Sequence, residues 1–119
     1  MPESVRRSSR SAGVERQAFA RFFRVLGDPT RLRILDLLAE RERSVGELVD
    51  LLGVPQGRVS NHLACLKWCR FVEAERRGRR VLYRLADPRI PDLLAAAEPL
   101  VRRDREHLAS CSRIGPEWV

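Results

Sequence analysis

At two places in the first half of the chain, a residue that ends a helix is followed closely by residues that begin another, which predicts short helices. Gly27 ends one helical pattern, and Asp28 followed by Pro29 starts the next, because aspartate caps helix N-termini and proline fits the first helical position. Gly53 ends a later helix, and Pro55 starts the one after it. Two short helices joined by a glycine-containing turn are typical of a helix-turn-helix.

Apolar residues recur at helical spacing around these signals. A first helix is predicted from Val14, and the second helix is apolar almost all round, which indicates a central position. A third helix begins at Ser44, which forms a capping box with Glu47. The fourth helix is expected to run to about Arg70, and a last one over about 90–108.

A small β-hairpin is predicted between the fourth and last helices. Its strands are expected at Val72–Glu75 and Val81–Leu85, and Gly78 supplies the turn within the arginine-rich link Arg76–Arg80. Such a hairpin is the wing of a winged helix-turn-helix. The predicted fold class is therefore mainly α with a small β-hairpin, and the surplus apolar faces of the first and last helices predict a homodimer through those helices.

The charge of the chain points to a polyanionic partner. Lys and Arg number 23 against 16 Asp and Glu, which gives a net charge of +7 over 119 residues. A domain this basic is expected to bind double-stranded DNA. No apolar stretch approaches the roughly 20 residues of a membrane span, and the N-terminus lacks the apolar region of a secretory signal, so a cytoplasmic location is expected.

Three segments are expected along the chain. Residues 1–13 contain almost nothing to bury and are predicted to be a disordered basic arm. Residues 14–108 form the winged helix-turn-helix domain for DNA binding and dimerisation, and residues 109–119 form a C-terminal tail that carries Cys111.

The fourth helix and the wing provide the candidate DNA contacts. The N-terminal part of the second helix of a helix-turn-helix enters the major groove, where amides, hydroxyls and guanidinium groups can bond to bases. A solvated polar face is the alternative interpretation of the same residues. His62 is interpreted as a DNA or phosphate contact, or as a capping group, in preference to a metal ligand. The candidate contacts are Gln56, Arg58, Ser60, Asn61, His62, Arg77, Arg79 and Arg80.

The three cysteines are the candidate metal ligands. Cys65 and Cys69 lie four positions apart on one face of the fourth helix, where their β-carbons are about 5–6 Å apart. Cys111 can supply a third thiolate, and three thiolates select soft ions such as cadmium, lead, mercury or trivalent arsenic. Free cysteines that merely fill the core are the alternative.

At this point the sequence resembles the ArsR/SmtB family of metal-responsive repressors. The resemblance rests on "LGDPTRLRILDLL" followed by "VGELVDLLGVPQGRVSNHLACLKWCRFVEAERRGRRVLYRL". "NHLACLKWC" and the later Cys111 are similar to the cadmium/lead-sensing branch. The resemblance implies a homodimer that leaves its operator on binding metal at Cys65, Cys69 and Cys111, the last from the other subunit. The third helix lacks the cysteine pair of other branches, and the spacing of Asp104 and His107 departs from that of the zinc sensors.

The sequence thus predicts a repressor that is released from operator DNA by a thiophilic divalent metal ion, cadmium or lead, with mercury possible. A thiol-based redox sensor of the same fold is the alternative, because cysteines on an electropositive helix can become reactive thiolates. A further alternative is a DNA-binding protein whose cysteines have no sensing role. No catalytic arrangement or phosphate loop is found in the sequence, so an enzyme is not expected.

Overall fold

A computed structural model describes the backbone of residues 3–111 and the side chains of residues 15–111. The helices and strands follow the chain in this order: α1 (Glu3–Leu26), α2 (Pro29–Glu40), β1 (Arg43–Ser44), α3 (Val45–Leu52), α4 (Gln56–Trp68), β2 (Val72–Arg77), β3 (Arg80–Leu85) and α5 (Arg89–Ser110). The strands form one antiparallel sheet in the order β1-β3-β2. The predicted fold class, a mainly helical winged helix-turn-helix with a small hairpin, is confirmed.

The helix boundaries follow the local signals in the sequence. The Asp28 side chain accepts a hydrogen bond from the backbone N–H of Arg31 at 3.0 Å and so caps α2. Ser44 and Glu47 form the predicted capping box at the start of α3. Gly53 ends α3 in the left-handed region at a φ of 66°, which glycine adopts without strain. These caps fix the turn between α3 and α4.

The core lies where α2, α3 and α4 meet. Its fully buried side chains belong to Ile34, Leu35, Leu48, Val59, Leu63, Leu66 and Val72. Partly buried Phe22 of α1 packs against Phe71, with ring centroids 4.8 Å apart. One polar side chain among the described residues is buried: Arg43, whose Nε donates to the Leu37 carbonyl at 3.0 Å. The apolar side of α4 thus packs against α2, α3 and β2.

The ends of several elements differ from the sequence predictions. α1 is described from Glu3 onward, so the helix includes most of the segment 1–13, which the sequence predicted as a basic arm. Strand β1 was not predicted, since two residues carry no periodicity. The strands β2 and β3 extend to Arg77 and Arg80, so the link is two residues rather than Arg76–Arg80.

The last helix is also longer than predicted. α5 continues to Ser110, whose hydroxyl donates to the Glu106 carbonyl at 2.9 Å, so Cys111 follows the helix directly. Of the expected tail over 109–119, residues 112–119 lie outside the described residues. None of the helices described here has the length and apolar character needed to span a membrane.

Candidate DNA-reading surface and thiol site

The buried side of α4 determines which of its residues face solvent. Val59, Leu63 and Leu66 are fully buried against the core. The residues between them at the start of the helix therefore point outward. Gln56, Arg58, Ser60 and Asn61 are all exposed. These four predicted DNA contacts are thus open to solvent at the N-terminal half of α4.

His62 differs from these neighbours because its imidazole has partners within the chain. Its side chain is 16% exposed, its Nδ1 accepts a hydrogen bond from Arg31 Nε at 3.1 Å, and its Nε2 lies 3.9 Å from Asp28 Oδ1. His62 therefore connects α4 to the start of α2. Sequence periodicity placed His62 on a face of α4 but gave no signal for a partner on α2.

The wing arginines are also engaged within the chain. Arg77 Nη1 lies 2.5 Å from Glu42 Oε1, and its Nη2 lies 3.0 Å from Glu75 Oε2. Arg80 Nη2 lies 2.6 Å from Glu47 Oε1. Because Ser44 and then Arg41 hydrogen-bond to it, the pKa of Glu47 is lowered to about 2, so this carboxylate stays charged. Arg79 lies exposed in the turn after Gly78, whose φ is 64°.

Cys65 and Cys69 lie together at the C-terminal end of α4. Cys65 is half-buried, Cys69 is exposed, and both are free thiols. The Cys69 N–H donates to the Cys65 carbonyl at 2.9 Å, and Arg70 then takes a left-handed conformation at a φ of 64° that ends the helix. Partial desolvation raises the pKa of the Cys69 thiol, and the adjacent Cys65 thiol raises that pKa further. The two thiols lie four residues apart at the end of α4, a spacing at which side chains on adjacent helical turns are neighbours.

The third cysteine is not part of this pair within one chain. Cys111 is half-buried and caps the far end of α5. Within residues 15–111 of a single chain, no three Cys, His, Asp or Glu side chains are grouped closely enough to hold a metal ion. A site of three thiolates therefore requires a ligand from a second chain or a change in conformation.

Open space adjoins the Cys69 thiol. A cavity of about 390 Å³ is bounded by Cys69 together with apolar and charged side chains from α1, the loop after α4, and α5. Asp87 on its wall has a pKa lowered to about 2 because Arg89 hydrogen-bonds to it. The apolar part of the wall consists of Phe22, Phe71, Ile90 and Leu93.

An exposed polar recognition helix beside an arginine-rich hairpin defines a winged-helix DNA-binding protein. Comparison with known proteins agrees. Residues 28–74 match the family model described as "Bacterial regulatory protein, arsR family". The chain is 44% identical, over 98 residues, to the "Probable mercury resistance operon repressor" of Streptomyces lividans; the match covers 82% of this chain and 78% of that protein.

Solved structures show the same architecture. The crystal structure of Rv0081 from Mycobacterium tuberculosis has a TM-score of 0.70 and 38% identity, covering 79% of this chain and 95% of that one. The homodimeric winged helix-turn-helix DNA-binding domain of Mb0332 from Mycobacterium bovis has a TM-score of 0.69 and 36% identity, covering 82% and 90%. The chain belongs to the ArsR family of bacterial regulatory proteins. It is a transcriptional regulator, not an enzyme.

Proposed function

We propose that the chain is a homodimeric repressor that leaves its operator when a thiophilic metal ion is bound by Cys65, Cys69 and Cys111. The observation that carries the proposal is the position of the thiol pair. Cys65 and Cys69 lie on the same helix as the open surface formed by Gln56 and Asn61. A ligand held by the two sulfur atoms therefore acts on the helix that reads DNA.

The dimer is supported by apolar side chains that a single chain leaves exposed. Phe19 and Phe23 of α1 are 55% and 51% exposed, and three apolar residues of α5 are similarly exposed: Leu100, Val101 and Leu108. Burying apolar surface is worth about 25 cal/mol per Å², so these faces favour association. The related Mb0332 domain is homodimeric. A two-fold dimer would present two recognition helices to half-sites about 34–36 Å apart.

The metal ligands are supported by the chemistry of the donors. Three cysteine sulfurs are soft ligands, and they favour soft cations over magnesium or calcium. Because one chain does not group three such ligands within its described part, Cys111 would come from the partner subunit, entering beside the cavity at Cys69. Cadmium and lead fit this donor set, and so does mercury, in keeping with the name of the Streptomyces lividans relative.

The electrostatic environment of Cys69 gives less support to the redox alternative. The nucleophile in thiol oxidation is the thiolate, so a reactive cysteine needs a lowered pKa. Burial and the neighbouring Cys65 instead raise the pKa of Cys69. A bound cation offsets this effect, because it stabilises both thiolates at once. Cys69 is therefore less suited to reacting with peroxide than a thiol with a lowered pKa.

A metal titration of the operator complex tests the proposal. Cadmium, lead and mercury ions are added separately to the dimer bound to promoter DNA, and release is followed by fluorescence anisotropy, with magnesium as the control. We expect a loss of operator affinity of about 5- to 150-fold with at least one soft cation, the usual range of allosteric coupling. Unchanged binding with all three would contradict the proposal.

A regulator of this kind is proposed to act in the cytoplasm, where promoter DNA is available.

A further inference from the structure

Arg31 joins three parts of the chain next to the thiol pair. Its Nε donates to His62 Nδ1 of α4 at 3.1 Å, and its Nη1 donates to the carbonyl of Val25 in α1 at 3.3 Å. Its own backbone N–H is held by Asp28, the N-cap of α2. The Arg31 side chain is partly buried, and arginine's planar fork suits such two-point contacts. It therefore fixes α4 relative to α1 and α2.

The residue that Arg31 contacts on α4 lies about one helical turn before the thiol pair. His62, Cys65 and Cys69 also follow one another at spacings of three and four along α4, which places them on one side of the helix. Arg31 thus contacts the member of this stripe nearest the DNA-reading surface, and the two thiols occupy the rest of the stripe.

We propose that Arg31 is a positioning residue that couples the Cys65–Cys69 pair to the orientation of α4. This inference rests on the proposed function. Without metal, Arg31 bridges His62 and the Val25 carbonyl and holds α4 in its DNA-binding position. Three thiolates around a divalent cation would carry one net negative charge, and that charge would attract the guanidinium. Arg31 would then give up its bond to His62, so α4 would lose this polar contact with α2 and could shift while its apolar side stays packed.

The test compares Arg31→Gln with Arg33→Gln. Both substitutions remove one positive charge from α2, but Arg33 is exposed and serves as the matched control. Each variant is purified as the full chain and checked for folding by circular dichroism. Operator affinity is then measured with and without cadmium ion, and cadmium binding is followed separately by thiolate-to-metal absorption. The ratio of operator affinity without cadmium to that with cadmium measures the coupling between metal binding and DNA binding. A purely structural role of Arg31 would not change this ratio.

We expect the cadmium-induced loss of operator affinity to fall below about threefold in Arg31→Gln, while cadmium binding is retained. The wild type and Arg33→Gln should both show the full loss. His62→Leu removes the other partner of the bond and should behave like Arg31→Gln, which covers the case in which that variant does not fold.

Full release of Arg31→Gln or His62→Leu by cadmium would overturn the inference. Loss of cadmium binding in Arg31→Gln would also overturn it, because Arg31 would then belong to the metal site itself. If the wild type is released by none of cadmium, lead and mercury, the proposed function fails; if only lead or mercury releases it, the same comparison is made with that cation. If the wild type and both variants are released alike, only the role of Arg31 fails.

Discussion

Arg77 of the wing and Glu42, just before β1, form an ion pair in which Nη1 and Oε1 are 2.5 Å apart. Arg80 pairs in the same way with Glu47 at the start of α3. The wing is therefore held against the body of the domain by two glutamates. Arg77 and Arg80 are predicted DNA contacts, so we expect each to exchange its carboxylate for a phosphate on binding, at a cost in affinity.

Replacing Glu42 should strengthen DNA binding. Glu42→Gln removes the carboxylate that competes for Arg77, and exposed ion pairs are worth about 0.2–1 kcal/mol. We expect operator affinity to rise by up to about fivefold, measured by anisotropy at fixed salt. The control is Glu106→Gln on α5, which removes the same charge from an exposed position far along the chain. An equal rise in both variants would show a general charge effect and contradict the competition.

Asn61 should contribute to sequence recognition without supporting the fold. It is exposed on α4, and an asparagine amide can bond adenine at two atoms. We expect Asn61→Ala to weaken operator binding by about 1–3 kcal/mol, to leave binding to unrelated DNA unchanged, and to keep the thermal unfolding midpoint. Competition assays with both DNAs measure the first two quantities. An equal loss on both DNAs would place Asn61 at the phosphate backbone instead.

The α1 face should control the oligomeric state. Phe23→Glu puts a charge into the apolar surface that we assign to the dimer, and burying an unpaired carboxylate is costly. We expect the variant to sediment as a monomer at concentrations where the wild type is a dimer. Leu51→Glu is the control, since Leu51 is 49% exposed but lies on α3. If the Phe23→Glu variant is still a dimer, the dimer interface does not include this surface of α1.

Glu47 should make the fold sensitive to acid. Its pKa in the folded state is about 2, lowered mainly by the Ser44 backbone hydrogen bond and then by Arg41, against an ordinary value of 4.5. A lowered pKa stabilises the fold above the ordinary value, and this contribution is lost as pH falls from 4.5 towards 2. Glu47→Gln should lack this loss. Urea unfolding of both proteins across that pH range measures it, and parallel curves would contradict the assignment.

Local signals in the sequence were enough to predict most of the fold. Asp28, the Ser44 capping box and Gly53 each act within a few residues, so their effect on helix boundaries can be inferred without a structure. Strand β1 has no such signal, because Arg43 and Ser44 become a strand only by pairing with Tyr83 and Leu82. Its existence depends on contacts between distant parts of the chain.

The candidate site was predictable only in part, for the same reason. Helical spacing placed Cys65 and Cys69 on one face of the fourth helix. In the structure Cys65 is half-buried, and Cys69 and Asn61 are exposed. The Arg31–His62 hydrogen bond joins residues 31 positions apart, and periodicity within one helix does not indicate it. Trp68, at the end of α4, is 87% exposed in a single chain. We predict that it contacts another subunit.

The central claim is that Cys65 and Cys69 together hold the inducing cation. The most direct measurement is a cadmium titration of operator-bound Cys65→Ser, with Ala64→Ser on the same helix as the control for an added hydroxyl. We predict that Cys65→Ser keeps the metal-free operator affinity and stays bound throughout, while Ala64→Ser and the wild type are released by about 5- to 150-fold. Release of Cys65→Ser at the same cadmium concentration as the wild type would contradict the account.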